Sequence, residues 1–335
     1  MAIGASRRAL LVGLAGTAAA AAAPSAAGAQ PRDGLSWASW LEAFKAEARA
    51  RGISAAILER AFAGVRPLES VIEADRRQPE RRLSFAEYRA RVVNEARIRR
   101  GRELLDEHRA LLERVRSRFG VPPATLVALW GIESSYGTYK GSYRVVEALA
   151  TLAWEGRRAE LFRRELLAAL EILERRERDP ERLLGSWAGA MGQCQFMPST
   201  FLSYAIDFDG DGRRDIWTSL PDVFASMSHY LARAGWSGGE RWGRPVRLPA
   251  GFDAGLAGLE RRASMAEWAR RGVRAADGGP LPAAELEASL LQMDGTGGPA
   301  FLVYRNFRTL MVWNRSTYFA LSVGLLGDQL AQAAA

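Results

Sequence analysis

Apolar positions recur at helical spacing along most of the chain. Trp37, Trp40, Leu41 and Phe44 fall at i, i+3, i+4 and i+7, and a charged stretch further on carries Leu104, Leu105, Leu111, Leu112 and Val115 at mixed three- and four-residue steps. Both are marks of helices with one apolar face, and the pattern predicts helices over 35–120, punctuated by Gly52 and Pro67. Pro122-Pro123 opens a further helix, because first-turn N–H groups have no intrahelical partner to lose. Residues 158–178 read as a strongly charged helix with Leu161, Leu166, Leu170 and Leu173 on its buried side. From Gly235 to Pro299 the texture becomes rich in Gly and Pro, with the short apolar runs Val246-Arg247-Leu248 and Ser289-Leu290-Leu291. These runs surround a helix expected at 264–272, where Ser264 and Glu267 fit a capping box. Phe301 to Tyr304 and an apolar helix at about 308–326 are expected to return to the core. The fold class is α+β and predominantly helical. The expected divisions are an N-terminal helical subdomain at 30–120, a core at 121–235, a small β-containing insertion at 236–299, a C-terminal return at 300–328 and a tail at 329–335.

The first residues change where such a protein works. Arg7-Arg8, the apolar run from Leu10 to Ala23 and the small residues Ala27-Gly28-Ala29 form the three regions of a signal peptide over 1–29. The run is short for a membrane span, and polar sequence follows it. The expectation is an exported, soluble, periplasmic protein. Ser6-Arg7-Arg8 also permits twin-arginine export. Cys194 is the single cysteine, so no intramolecular disulfide forms and no lipid-anchoring cysteine follows the signal. Some three hundred residues remain, enough for one large or two modest domains. The net charge of +8 suits an anionic envelope polymer, although it also serves solubility alone, and export makes nucleic acid a poor partner.

The candidate chemistry sits in two dense segments. In the first, Leu126, Leu129 and Trp130 share a helix face with Glu133, which lies at i+7 from Leu126 and just before Gly137. Desolvation by Trp130 and Ile132, and the negative helix end, would both raise the carboxyl pKa, as a general acid requires. A surface or salt-bridged glutamate is the plainer alternative for any single acid. In the second, Gly185, Gly189 and Gly192 allow tight backbone paths, while Ser186, Gln193 and Gln195 offer groups that bond sugar hydroxyls and N-acetyl groups. Trp187 and Phe196 offer flat apolar surfaces or serve as core, and core is favoured for Phe196.

These segments, WGIESSYG at 130–137 and GSWAGAMGQCQFMPSTF at 185–201, recur with ALATLAWEGRR at 148–158, YAIDFDGDGRRDIW at 204–217 and GPAFLVYRNF at 298–307. In that order they resemble the membrane-bound lytic murein transglycosylase B family, the soluble lytic transglycosylase type-2 domain, from about Trp37 to Asp328. The resemblance implies a lysozyme-like catalytic core and cleavage of the MurNAc-β-1,4-GlcNAc bond of peptidoglycan without net hydrolysis, giving 1,6-anhydro-MurNAc ends. It places the catalytic glutamate on Glu133 and sugar contacts on Ser186, Gln195 and Tyr204. The family's C-terminal pattern matches at Asn314 and Ser316, but its two tyrosine positions hold Trp313 and Phe319. Asn314 and Trp313 are therefore the substrate-contact candidates there, with Tyr318 a neighbouring hydroxyl. No cofactor is implied for the chemistry. The implied partners are glycan strands and envelope cell-wall proteins, with the protein a monomer. A hydrolase with a second carboxylate and a non-catalytic peptidoglycan-binding scaffold are the rival readings.

One acidic loop stands apart. Asp207, Asp209, Asp211 and Asp215 occupy positions 1, 3, 5 and 9 of a calcium-loop spacing, with Gly212 at position 6 and the Arg213 carbonyl at position 7. Thr218 stands where a bidentate glutamate is usual, and Arg214 at position 8 replaces an aliphatic residue. The loop is a candidate for structural calcium or a plain Asp/Gly turn. Cys194 and His229 read as structural.

Overall fold

The computed structural model describes residues 34–76 and 83–332, so the expected signal peptide at 1–29 lies outside the described residues. In chain order the helices begin with α1 (Trp37–Ala50), α2 (Ala55–Phe62), α3 (Glu69–Arg76), α4 (Phe85–Val92), α5 (Glu95–Glu107), α6 (Arg109–Phe119) and α7 (Pro123–Ser134). There follow β1 (Tyr143–Arg144), α8 (Val145–Glu155), α9 (Ala159–Glu174), β2 (Leu184–Gly185), α10 (Pro198–Tyr204) and α11 (Leu220–Arg233). The chain then forms β3 (Gly243–Arg247), β4 (Ala263–Ser264), α12 (Met265–Arg270), β5 (Arg274–Ala275), β6 (Glu287–Gln292) and β7 (Ala300–Val303). It closes with α13 (Arg305–Trp313) and α14 (Thr317–Ala331). Helix dominates and the sheets are small, as the apolar spacing predicts. No described helix is long and apolar enough to cross a membrane.

The chain forms two compact units, each assembled from separated segments. Among the described residues, the first comprises 83–132 and 228–332, and the second 34–76 and 133–227. The second unit is built on α8 packed along α9, with α10 against α9 and α2 and α3 against this pair. Capping residues set several of its helix ends: the Ser36 and Ser54 side chains accept from backbone N–H groups of α1 and α2, and left-handed Gly156 ends α8. The buried Asp75 carboxylate at the end of α3 pairs with both Arg157 and Arg158, just beyond α8. The expected buried side of α9 is largely as read: Leu166, Leu170 and Leu173 are buried, and Leu161 is partly so.

The first unit holds a five-stranded sheet of order β4-β6-β7-β3-β5 and antiparallel pairing. Val246, Trp268, Leu290, Leu302 and Tyr304 form its core, and the Trp268 indole donates to the Ala288 carbonyl at 3.0 Å. Phe301 to Tyr304 are buried, as expected, and Phe301 to Val303 lie in β7, the middle strand of the sheet. Two local expectations change. The helix expected at 264–272 is the shorter α12, where Ser264 accepts from the Glu267 N–H at 3.1 Å while the Glu267 carboxylate pairs with Arg271. The single helix expected at 308–326 is two helices. Asn314 turns extended and its side chain accepts from the Ser316 N–H at 3.0 Å, and Ser316 then caps α14 through the Phe319 N–H at 3.3 Å. Local side-chain bonds of this kind compete directly with helix continuation.

Candidate active site

The α7 helix is apolar on every side rather than on one face: Leu126, Val127, Ala128, Leu129, Trp130 and Ile132 are all buried. Glu133, one residue before its end, is partly exposed. The chain then turns sharply. Ser135, Tyr136 and Gly137 have φ of 50°, 58° and 78°, a left-handed run that is costly for the two non-glycine residues. Ser134 closes this turn, accepting from the Gly137 N–H on its hydroxyl at 3.1 Å and from the Tyr139 N–H on its carbonyl at 2.8 Å.

The loop leaving Glu133 reaches the second segment through Gly141. A Cβ at Gly141 would lie 1.9 Å from the Gly185 carbonyl carbon and 2.4 Å from the Ser186 nitrogen, so only a bare backbone fits. The strands β1 and β2 pair immediately beyond, with Tyr143 opposite Gly185. Glu133, Ser186 and Gln195 all belong to the second unit. The Ser186 hydroxyl oxygen accepts from the Ala188 and Ala190 N–H groups at 3.3 and 3.1 Å, which leaves its proton to donate. Gln195 has φ of 48° and is only 4% exposed; its amide nitrogen donates to the Gly192 carbonyl at 2.8 Å, and its buried amide oxygen has no hydrogen-bond partner. A buried acceptor without a donor is costly, and a ligand hydroxyl or amide N–H would satisfy it.

Other members of this segment are structural. The Gln193 amide donates to the Trp217 carbonyl at 3.0 Å, Phe196 is fully buried, and Cys194 is buried with its thiol 3.5 Å from the Val223 carbonyl. Trp187 keeps partial exposure, as does Tyr204 at the end of α10. The buried Glu165 on α9 accepts from the Ser199 N–H at 3.0 Å and its hydroxyl at 2.8 Å, which fixes the start of α10.

In the acidic loop, carboxylate oxygens of Asp207, Asp209 and Asp211 come within 4.8 Å of one another. Asp207 accepts from the Gly210 and Gly212 N–H groups at 2.7 and 2.9 Å, and Asp211 accepts from the Arg213 N–H at 2.8 Å. Asp215 is engaged elsewhere: it accepts from the Trp217 and Thr218 N–H groups and the Thr218 hydroxyl, and pairs with Arg178 at 3.5 Å. Burial works to raise its pKa, but the Thr218 and Trp217 bonds and the Arg178 charge hold it below the usual aspartate value. Asp222 spans the loop from behind, accepting from the Phe208 N–H at 2.7 Å and the Asp215 N–H at 2.8 Å; burial raises its pKa.

The pattern of the transglycosylase SLT domain matches residues 36–328. The chain belongs to this transglycosylase family. Over 257 residues, 75% of this chain and 68% of the relative, it is 34% identical to the membrane-bound lytic murein transglycosylase B of Escherichia coli strain K12. Among solved structures it is similar to SltB3 from Pseudomonas aeruginosa in complex with NAG-NAM-pentapeptide, with a TM-score of 0.86 and 47% identity over 89% of this chain and 80% of that one. It is also similar to the Escherichia coli lytic transglycosylase Slt35 in complex with calcium, with a TM-score of 0.75 and 28% identity over 90% of this chain and 95% of that one. The lysozyme-like fold that the sequence motifs imply is the fold of these neighbours.

The transglycosylase motifs do not carry every candidate equally. Trp313 is fully buried in the first unit, its ring edge-on to Tyr230 at 4.9 Å, so it has no free face for a pyranose and is a core residue. Asn314 is 6% exposed and closes the turn before α14. Two residues carry no mark in the motifs: Gly141, whose role is visible only in its contact with Gly185, and Tyr139, a 37% exposed residue six positions after Glu133. An aromatic residue in the polar loop behind Glu133 was the available signal for Tyr139.

Proposed function

We propose that this enzyme, a lytic transglycosylase of peptidoglycan by its family, cleaves the MurNAc-β-1,4-GlcNAc bond with Glu133 as sole acid and base. The protonated Glu133 carboxyl gives its proton to the glycosidic oxygen as the bond from that oxygen to MurNAc C1 breaks, and GlcNAc departs as an alcohol. Positive charge develops on C1 and its ring oxygen. The Glu133 carboxylate then takes the proton of the MurNAc C6 hydroxyl as O6 bonds to C1. The product end is 1,6-anhydro-MurNAc, the acid is regenerated and no water is consumed. A hydrolase would need a second carboxylate as nucleophile or base.

The observation that carries this reading is the seating of Gly141 on Gly185 and Ser186. It brings the loop that leaves Glu133 onto a segment offering a hydroxyl donor and a buried, unsatisfied amide oxygen. Ser186, Gln195 and Tyr204, all in the second unit, bind the sugars in this reading. The NAG-NAM-pentapeptide held by SltB3 supports peptidoglycan strands as the partner. The protein acts in the periplasm as a monomer after export through its N-terminal signal. Mass spectrometry of products released from purified peptidoglycan tests the chemistry. Wild type should give anhydro-muropeptides, and Glu133→Gln should reduce their release by about 10³-fold or more, as expected for a lost general acid that also serves as base. Reducing-end products would make the enzyme a hydrolase, and binding without products would make it a scaffold.

Calcium fits the loop in reduced form. Asp207, Asp209 and Asp211 already converge, and with the Arg213 carbonyl they would hold a cation by oxygen ligands and stiffen the turn; the calcium complex of Slt35 supports this placement. The chemistry at Glu133 requires no cofactor.

A further inference from the structure

The second half of the acidic loop is built into the sugar-binding segment. The Ile216 carbonyl accepts from the Gln193 N–H at 2.8 Å, the Trp217 carbonyl accepts from the Gln193 amide at 3.0 Å, and the Trp217 indole donates to the Leu184 carbonyl at 3.0 Å. Gly192 is pressed so closely that a Cβ there would lie 2.6 Å from the Ile216 oxygen. Residues 216–217 thus hold Leu184 before Ser186, and Gly192 and Gln193 before Gln195.

One side chain holds those residues in turn. The Arg178 guanidinium lies 4.5 Å over the Trp217 ring, pairs with Asp215 at 3.5 Å, and donates from Nε to the Arg182 carbonyl at 3.2 Å, two residues before Leu184. Asp215 accepts in turn from the Trp217 N–H at 2.8 Å. A planar guanidinium can stack and bond along its edge at once, which the point charge of a lysine cannot. We propose that Arg178 is a positioning residue for glycan binding, setting through Trp217 and Asp215 the register in which Ser186 and Gln195 meet the sugar. This rests on the sugar-binding role of those two residues given above.

A neighbouring arginine supplies the control. Arg214 is built alike, 4.9 Å over the Phe201 ring and paired with Glu177, but its carbonyl partner is Leu202 on α10, outside the Leu184–Gln195 stretch. Its loss should lower stability while leaving Ser186 and Gln195 in register.

The test measures kcat, KM and thermal midpoint on soluble peptide-bearing glycan oligomers for full-length mature wild type, Arg178→Met, Arg178→Lys and Arg214→Met. Arg178→Met should raise KM about tenfold with kcat within about twofold, the signature of binding lost equally from ground and transition states. Arg178→Lys should fall between it and wild type. Arg214→Met should lower the midpoint and leave KM near wild type. A wild-type KM in Arg178→Met, or an equal rise in Arg214→Met, overturns the proposal. If Arg178→Met does not fold, the lysine variant decides: a wild-type KM there overturns the proposal, and a raised KM at an unchanged midpoint supports it. Wild type that releases no product from glycan would overturn the functional reading and this one together, whereas active wild type with an indifferent Arg178→Met overturns this one alone.

Discussion

At Gly141 the chain has no room for a side chain. Its φ of 84° disfavours L-residues, and the atoms a Cβ would meet are backbone atoms of Gly185 and Ser186, which cannot swing aside as a flexible side chain would. Gly141→Ala should therefore destabilise by about 1–3 kcal/mol, as overpacking does, and should reduce product release by more than the lost stability explains. Gly239→Ala meets open space and should be close to neutral in both. Denaturant unfolding and product release on the two variants check this; equal behaviour would detach the Gly141 contact from the site. The same scale shows what could be read in advance. Glu133 was legible as a candidate because an acid at the end of an apolar helix, in a chain that also carries a dense glycine-rich polar string, is an unusual combination. Ser186 and Gln195 were legible as candidates, as polar groups within that string and by family resemblance. Trp313 was not: its burial against Tyr230 depends on residues more than eighty positions away in the chain, and no local pattern separates a buried tryptophan from a sugar platform.

Elements were legible where periodicity alone sets them and less so where side chains cut the backbone short. The α1 and α9 helices follow their apolar spacing, whereas the Asn314 and Ser316 bonds divide an apolar run that periodicity reads as one helix. The acidic loop divides in a similar way. Its spacing advertises four carboxylates, but Arg178 and Thr218 engage the fourth, leaving Asp207, Asp209 and Asp211 convergent. A site with one carboxylate withdrawn and no bidentate glutamate should bind Ca²⁺ weakly, with a Kd on the order of 10⁻⁴–10⁻³ M. Calorimetric titration should show that binding abolished in Asp211→Asn, whose amide oxygen still accepts from the Arg213 N–H, and retained in Asp215→Asn. Loss of binding in Asp215→Asn would return the fourth carboxylate to the ligand set.

For the whole molecule, each compact unit is made from stretches far apart in sequence, a grouping that composition along the chain does not display. Charge is similarly distributed, and the net value of +8 does not reveal how stability responds to pH. In the second unit Asp215 sits below the usual aspartate value, so its contribution to stability is present above the unfolded pKa, roughly 3.9, and is lost as pH falls through the folded value. In the first unit Asp328 has the opposite sign. Burial raises its pKa despite the opposing Arg241 charge, to which it pairs at 3.1 Å, and the Trp242 indole bond at 3.2 Å. Its contribution is fully present below the unfolded value and is lost as pH rises through the folded one. Asp328→Asn cannot ionise, and its amide oxygen can still accept from Trp242. Its unfolding free energy, measured relative to wild type, should therefore rise as pH is brought from about 3 toward neutrality. Urea unfolding of both proteins across that range reads the difference directly. A difference that stays flat or falls would mean that the Arg241 pair outweighs burial, placing Asp328 with Asp215 among the carboxylates that the fold prefers charged.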